Sequence, residues 1–234
     1  MRVVALVLVV LLTSGCASMF DDMSLAAQAK FQQVIANRFA QKLTSGIELV
    51  ARQLALKGGF LDDPLVRILL PPPLGLVIDV ARDFNSNPQA ALLETLMNRA
   101  AENAIPVAGP ILKNIVANMD ADTLKRLMNS PRSAASDLLI AEGGGAVQAA
   151  LLPAVSQSLT ANGAFKLYGD LLQFQQKTDA GADSAANTTE QLVSQEQLSQ
   201  YVVQKAADGL FKKVATRELV IRASLNSIVE SPMK

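Results

Sequence analysis

The chain has 234 residues, 50% of them hydrophobic and 4% aromatic, with 21 basic and 21 acidic side chains, one cysteine and no histidine. Balanced charge and few aromatics leave no footprint for nucleic acid, and a single cysteine precludes an internal disulfide. The lack of histidine removes Ser-His-Asp and Cys-His catalysis, histidine zinc sites and the usual acid–base group of neutral pH.

The first element is an address. Arg2 precedes an apolar run from Val3 to Leu12, then Thr13, Ser14, Gly15 and Cys16. Such a run is too short to cross a hydrocarbon core, which takes roughly 20 residues, but it fits a secretory leader. Small residues before a cysteine suit diacylglycerol transfer to the thiol and cleavage on its amino side. Residues 1–15 are therefore expected to be removed, leaving 219 residues that begin at a lipidated Cys16. Acylation of that thiol also rules out thiolate catalysis and cysteine metal sites. Ala17 stands where an inner-membrane retention aspartate would be, so the expected location in a Gram-negative envelope is the periplasmic leaflet of the outer membrane. Past the leader no second run of about 20 apolar residues is expected, the excess being alanine.

Residues 16–23 read as a tether and 24–230 as one all-helical domain. Ser24 can cap a helix from Leu25 to about Leu56, with Phe31, Val34, Ile35, Phe39, Leu43, Ile47, Val50, Ala51 and Leu54 on one face. Lys57-Gly58-Gly59 ends it. Pro64, Pro71, Pro72 and Pro73 keep Phe60 to Leu74 from being regular helix, so this segment reads as an extended, largely buried connection. A short helix is expected from Leu74 to Phe84. Another starts at Asn87-Pro88 and runs to about Ala104, and Ile105 to Met119 follows. Asp120 caps a helix to Met128, and Ser130-Pro131 opens one to Ala141. Gly143-Gly144-Gly145 reads as a break, followed by helices from Ala146 to Thr160 and, after an Asn162-Gly163 turn, from Ala164 to Gln176. Lys177 to Thr189 is polar and reads as a flexible excursion. Ser194 and Gln197 resemble a capping box on the approach to a last long helix. There is no alternating strand pattern.

Few constellations carry chemistry. Arg67 lies in Leu65-Val66-Arg67-Ile68-Leu69-Leu70, and a guanidinium among apolar neighbours requires a carboxylate if buried. Glu102, which shares a helix with Asn98 and Arg99, and Asp208 are the candidates. The cluster reads either as a pocket for a ligand head group or as a buried structural ion pair. Glu218 and Arg222 stand four apart in the order that favours an ion pair, and read as a solvated or interdomain brace. Asp62-Asp63 before Pro64 reads as a loop cap rather than an acid–base pair. Asp179, Asp183, Asn187 and Glu190 fit some places of a calcium loop. Gly181 and Ser184 stand where an oxygen ligand and a glycine are needed, so no metal is expected there.

Three stretches in order carry a resemblance: Gly59-Phe60-Leu61-Asp62-Asp63-Pro64-Leu65-Val66-Arg67-Ile68 with Leu70-Pro71; Met97-Asn98-Arg99-Ala100-Ala101-Glu102; and Tyr201-Val202 with Lys205-Ala206-Ala207-Asp208-Gly209-Leu210-Phe211 and Ile221-Arg222. They resemble a family of secreted bacterial envelope proteins known as a domain of unknown function, number four-one-nine-seven. The resemblance implies an all-helical periplasmic or lipid-anchored domain and no particular activity. The expectation is a non-catalytic interaction or structural module, held to the membrane by its lipid and facing an envelope protein, with no cofactor. The alternative is a carrier or sensor of an apolar ligand, with Arg67 at the mouth of its cavity.

Overall fold

A computed structural model of the chain describes residues 24–72, 74, 88–130, 133–179 and 188–230. Among them there is helix, turn and one extended connection, but no strand. Cys16 with its leader, most of the expected helix at Leu74 to Phe84, and the centre of the calcium-like loop lie outside the described residues.

Helix α1 (Leu25–Ala55) starts where Ser24 accepts a hydrogen bond from the Ala27 N–H at 3.3 Å. Its apolar stripe buries Ile35, Phe39, Leu43, Ile47, Val50 and Leu54. Val34 departs from the expected face and is 59% exposed, because the true stripe drifts past it. Gly58 takes a φ of 86°, the left-handed turn that stops the helix. The connection that follows is extended where proline requires. Phe60, Val66, Ile68 and Leu70 point inward, while Leu65 and Leu69 are 56% and 50% exposed. This two-residue alternation belongs to extended chain.

Helix α2 (Pro88–Ala104) continues through a 3-10 turn at Ile105–Val107 into α3 (Ala108–Ala117). Asp120 caps α4 (Ala121–Met128) by accepting from the Thr123 N–H at 2.7 Å, and its carboxyl is thereby held below the usual range. Helix α5 (Ala134–Ala161) then runs unbroken through the three glycines, against expectation. Packing explains why. A Cβ on Gly143 would lie 2.6 Å from Ile115 Cδ1 and 3.0 Å from Leu112 Cδ2, so the missing side chain lets α3 press against α5. The contact offsets the roughly 1 kcal/mol that Gly143 costs the helix.

A second departure concerns membrane propensity. By length and composition α5 is long and apolar enough to span a membrane, although no such run is expected past the leader from the sequence. In the fold its stripe of Leu139, Val147, Leu151, Val155 and Leu159 is buried in the core against α2, α3 and α7.

Gly163, with φ of 81°, and Asn162, whose side chain accepts from the Ala164 N–H at 3.0 Å, turn the chain into α6 (Ala164–Asp179). The last helix, α7 (Thr188–Glu230), begins six residues before Ser194, so the expected capping box lies inside a helix. With α6 reaching Asp179, the expected excursion is shortened at both ends. Helix α7 packs along α5 and α1 and is the spine of the bundle. It lies antiparallel to α1: Gly46 meets Arg217 and Ile221, whereas Phe39 meets Arg222.

Candidate functional site

Helix α2 buries alanine, leucine and methionine, yet it carries Glu94, Asn98 and Glu102 at four-residue spacing. That spacing places them on one face. All three are buried. Buried polar groups need partners, and here the connection supplies most of them.

One oxygen of Glu102 accepts from the backbone N–H groups of Gly58 at 3.1 Å, Phe60 at 3.2 Å and Leu61 at 3.4 Å. Its other oxygen pairs with Arg99, one turn earlier on the same helix. Asn98 accepts from the Ile68 N–H at 2.9 Å, and its amide donates to the carbonyls of Ile68 and Glu94, both at 2.8 Å. The side chain thus acts as the strand neighbour that Ile68 lacks. Glu94 forms an ion pair with Arg67, whose side chain keeps 39% of its exposure. The second Glu94 oxygen is buried without a hydrogen-bond partner. Burial pushes the Glu94 carboxyl above the usual carboxylate range, against the opposing pull of Arg67.

Helix α7 grips the same connection from the other side. The Tyr201 hydroxyl donates to the Leu69 carbonyl at 3.1 Å, and the Lys212 ammonium donates to the Leu65 carbonyl at 3.2 Å. Lys213 pairs with Asp63 and holds that carboxyl below its usual range. Asp63 also accepts from the Leu65 N–H at 3.0 Å, a loop cap in front of the prolines. At Gly209 an added Cβ would sit 3.0 Å from Phe60 and 3.2 Å from Val66. The helix therefore approaches the connection at a residue without a side chain. The three stretches that carry the family resemblance meet at this junction, except for Ile221-Arg222.

The placement corrects two expectations about Arg67. Its partner is Glu94, not Glu102 or Asp208, and Glu94 is absent from the candidates that the sequence suggests. The four-residue spacing of Glu94, Asn98 and Glu102 beside the buried Ala90, Leu93, Met97 and Ala101 is the signal that could have found it. Asp208 is exposed on another face of α7, where it lines a cleft with Gly145, Gln148 and Leu152 of α5.

Arg222 belongs to a second centre. Glu218, fully buried, accepts from the N–H groups of Ala135 at 3.1 Å and Ser136 at 2.7 Å, and from the Ser136 hydroxyl at 2.5 Å. It thereby caps α5 from across the bundle. Arg222 donates to Glu218 at 2.8 Å and to the carbonyls of Leu127 at 2.8 Å and Met128 at 3.2 Å, which close α4. Its guanidinium stands 5.1 Å from the Phe39 ring centre. The expected solvated brace is therefore a buried one, and it sits inside the bundle. A carboxylate faces a helix start and a guanidinium faces a helix end, the signs that the helix dipoles favour.

No curated protein and no solved structure is significantly similar to the chain. A family profile matches residues 31–233, from the second turn of α1 to the penultimate residue of the chain. The match takes in the connection, the α2 stripe and both α7 centres, and so the chain belongs to the family described as protein of unknown function (DUF4197).

Proposed function

We propose that the protein is a lipid-anchored component of the periplasmic face of the outer membrane and serves there as a non-catalytic interaction or structural module. The carrying observation is how its buried polar groups are used. Asn98, Glu102 and Glu218, the residues from which a reactive pocket would be built, are bonded to backbone amides of the chain itself. The absence of histidine and the single cysteine point the same way. The apolar leader ending in Gly15-Cys16 supports the anchor.

The test is crosslinking in the intact envelope, followed by denaturing recovery of the protein. A reproducible protein partner, lost when Cys16→Ser removes the anchor, is the expected result. A crosslinked envelope that returns no reproducible partner contradicts it. A carrier of an apolar ligand is the second reading, favoured by Leu65 and Leu69, which point outward on either side of Arg67. Native mass spectrometry distinguishes it, because a carrier retains an extra mass that extracts as lipid.

A further inference from the structure

A groove of about 510 Å³ runs between the antiparallel helices α1 and α7. Its floor and walls include Arg38, Lys42 and Ser45 from α1 and Arg217, Ile221 and Ser224 from α7. On each helix these residues fall at spacings of three, four and seven, so each contributes one face. The lining holds three cations and no acid. The acids nearest to it in sequence are engaged elsewhere, Glu48 with Lys113 and Glu218 with Arg222. Among the described residues, none of the three cations has a carboxylate partner.

Arg217 is the most telling of them. Its stem crosses Gly46, where an added Cβ would meet Arg217 Cγ at 3.0 Å and Ile221 Cδ1 at 3.1 Å. The helices come close enough at this glycine to bury Arg217 Nε, and that atom has no hydrogen-bond partner. Arg217 also lines the groove, where three cations without a carboxylate among them repel one another, and a bound anion relieves that repulsion. Two guanidinium forks match the geometry of phosphate oxygens, and Ser45 adds a hydroxyl to the lining.

We propose that the α1/α7 groove binds a phosphate-bearing anion, either a small phosphoester in solution or the headgroup of an anionic phospholipid. The proposal stands independently of the anchor and of the non-catalytic reading, because it uses residues that neither employs.

The full-length protein, purified in neutral detergent, is titrated with glycerol phosphate, with chloride at equal ionic strength as the control. It is also placed in nanodiscs of phosphatidylcholine with and without phosphatidylglycerol. The readout is the thermal unfolding midpoint, supplemented by calorimetric titration for the soluble ligand. A rise with glycerol phosphate identifies a soluble phosphoester. A rise confined to phosphatidylglycerol discs identifies the headgroup. The double variant Arg38→Gln/Lys42→Gln alters two side chains outside the core, and Arg217→Met keeps the apolar stem across Gly46. Each is expected to weaken binding by about tenfold or more, the loss of at least one charge-assisted hydrogen bond. No rise in either medium overturns the proposal. So does a rise that survives in both variants, since binding would then lie elsewhere.

Discussion

At the scale of single residues, the fold depends on side chains that replace missing secondary structure. The connection from Phe60 to Leu70 contains Pro64 and has no neighbouring strand, so its inward amides and carbonyls need acceptors and donors from elsewhere. Asn98 supplies both for Ile68. We predict that Asn98→Ala lowers the unfolding free energy by about 3 kcal/mol, because it strands two buried backbone groups at once. Asn103→Ala, which removes an exposed side-chain bond to Ser158, should cost under about 1 kcal/mol. Urea unfolding of the two variants side by side decides this, and equal losses would show that the Asn98 bonds contribute little.

Glu94 makes a different prediction. Burial raises its folded pKa above the ordinary value of 4.5. The native state therefore binds this proton more tightly than the unfolded chain. The stability tied to the proton is complete below the ordinary value and is lost as pH rises through the folded one. Glu94→Gln cannot ionise and escapes that loss. Unfolding free energies measured from pH 4 to 8 should show the variant gaining on the parent as pH rises, with a plateau once Glu94 is fully ionised. A difference that falls with pH would mean that the Arg67 pair outweighs burial.

Arg67 is legible in the sequence as a cation needing a carboxylate, since charge among apolar neighbours is conspicuous in one dimension. Which carboxylate it meets is not, because the choice depends on how the connection runs across α2. Glu94 and Glu102 both lie on the clamping face, two turns apart. The three cations of the α1/α7 groove are illegible for a similar reason. Arg38 and Arg217 are distant in sequence and meet only because α7 runs back along α1.

At the scale of elements, capping and periodicity are readable wherever local chemistry decides. Ser24, Asp120 and the Asn162-Gly163 turn fall where a short-range rule places them. The sequence misleads where tertiary packing overrides propensity. Three successive glycines argue locally for a break, yet α5 continues because Gly143 faces Leu112 and Ile115. A Cβ added at Gly144 or Gly145 would meet nothing within 4 Å, so the missing side chains there serve no contact. Gly144→Ala and Gly145→Ala are expected to stabilise the protein by about 0.5–1 kcal/mol each through helix propensity. Gly143→Ala should not share that gain, since two methyl groups must move to admit it. Thermal unfolding of the three variants checks this, and an equal gain at Gly143 would remove the packing explanation for the unbroken helix.

The start of α7 shows the same lesson in reverse. Ser194 and Gln197 have the composition of a helix start, but the helix already runs from Thr188. A capping pair stabilises a start only where the preceding residues leave the helix. The brace of Glu218 and Arg222 is visible as an i,i+4 pair, whereas its burial is not. That burial comes from α4 ending and α5 beginning against the same turn of α7.

At the scale of the whole molecule, the all-helical class follows from composition and from the lack of any alternating run, and the bundle agrees with it. The three stretches that carry the resemblance are far apart in sequence and, Ile221-Arg222 aside, converge on one connection, held by α2 and α7. The buried carboxylates and amides therefore hold the elements of the fold together. The proposed anchor, being the first step of the proposed function, is open to a direct check. The protein is expressed from its full sequence in a Gram-negative host and extracted from the outer-membrane fraction, and its intact mass is measured. We predict a chain lacking residues 1–15, with Cys16 at its amino end and bearing diacylglycerol and an amide-linked acyl chain. A soluble product cleaved elsewhere, or one with an unmodified Cys16 thiol, would contradict the lipid-anchored reading.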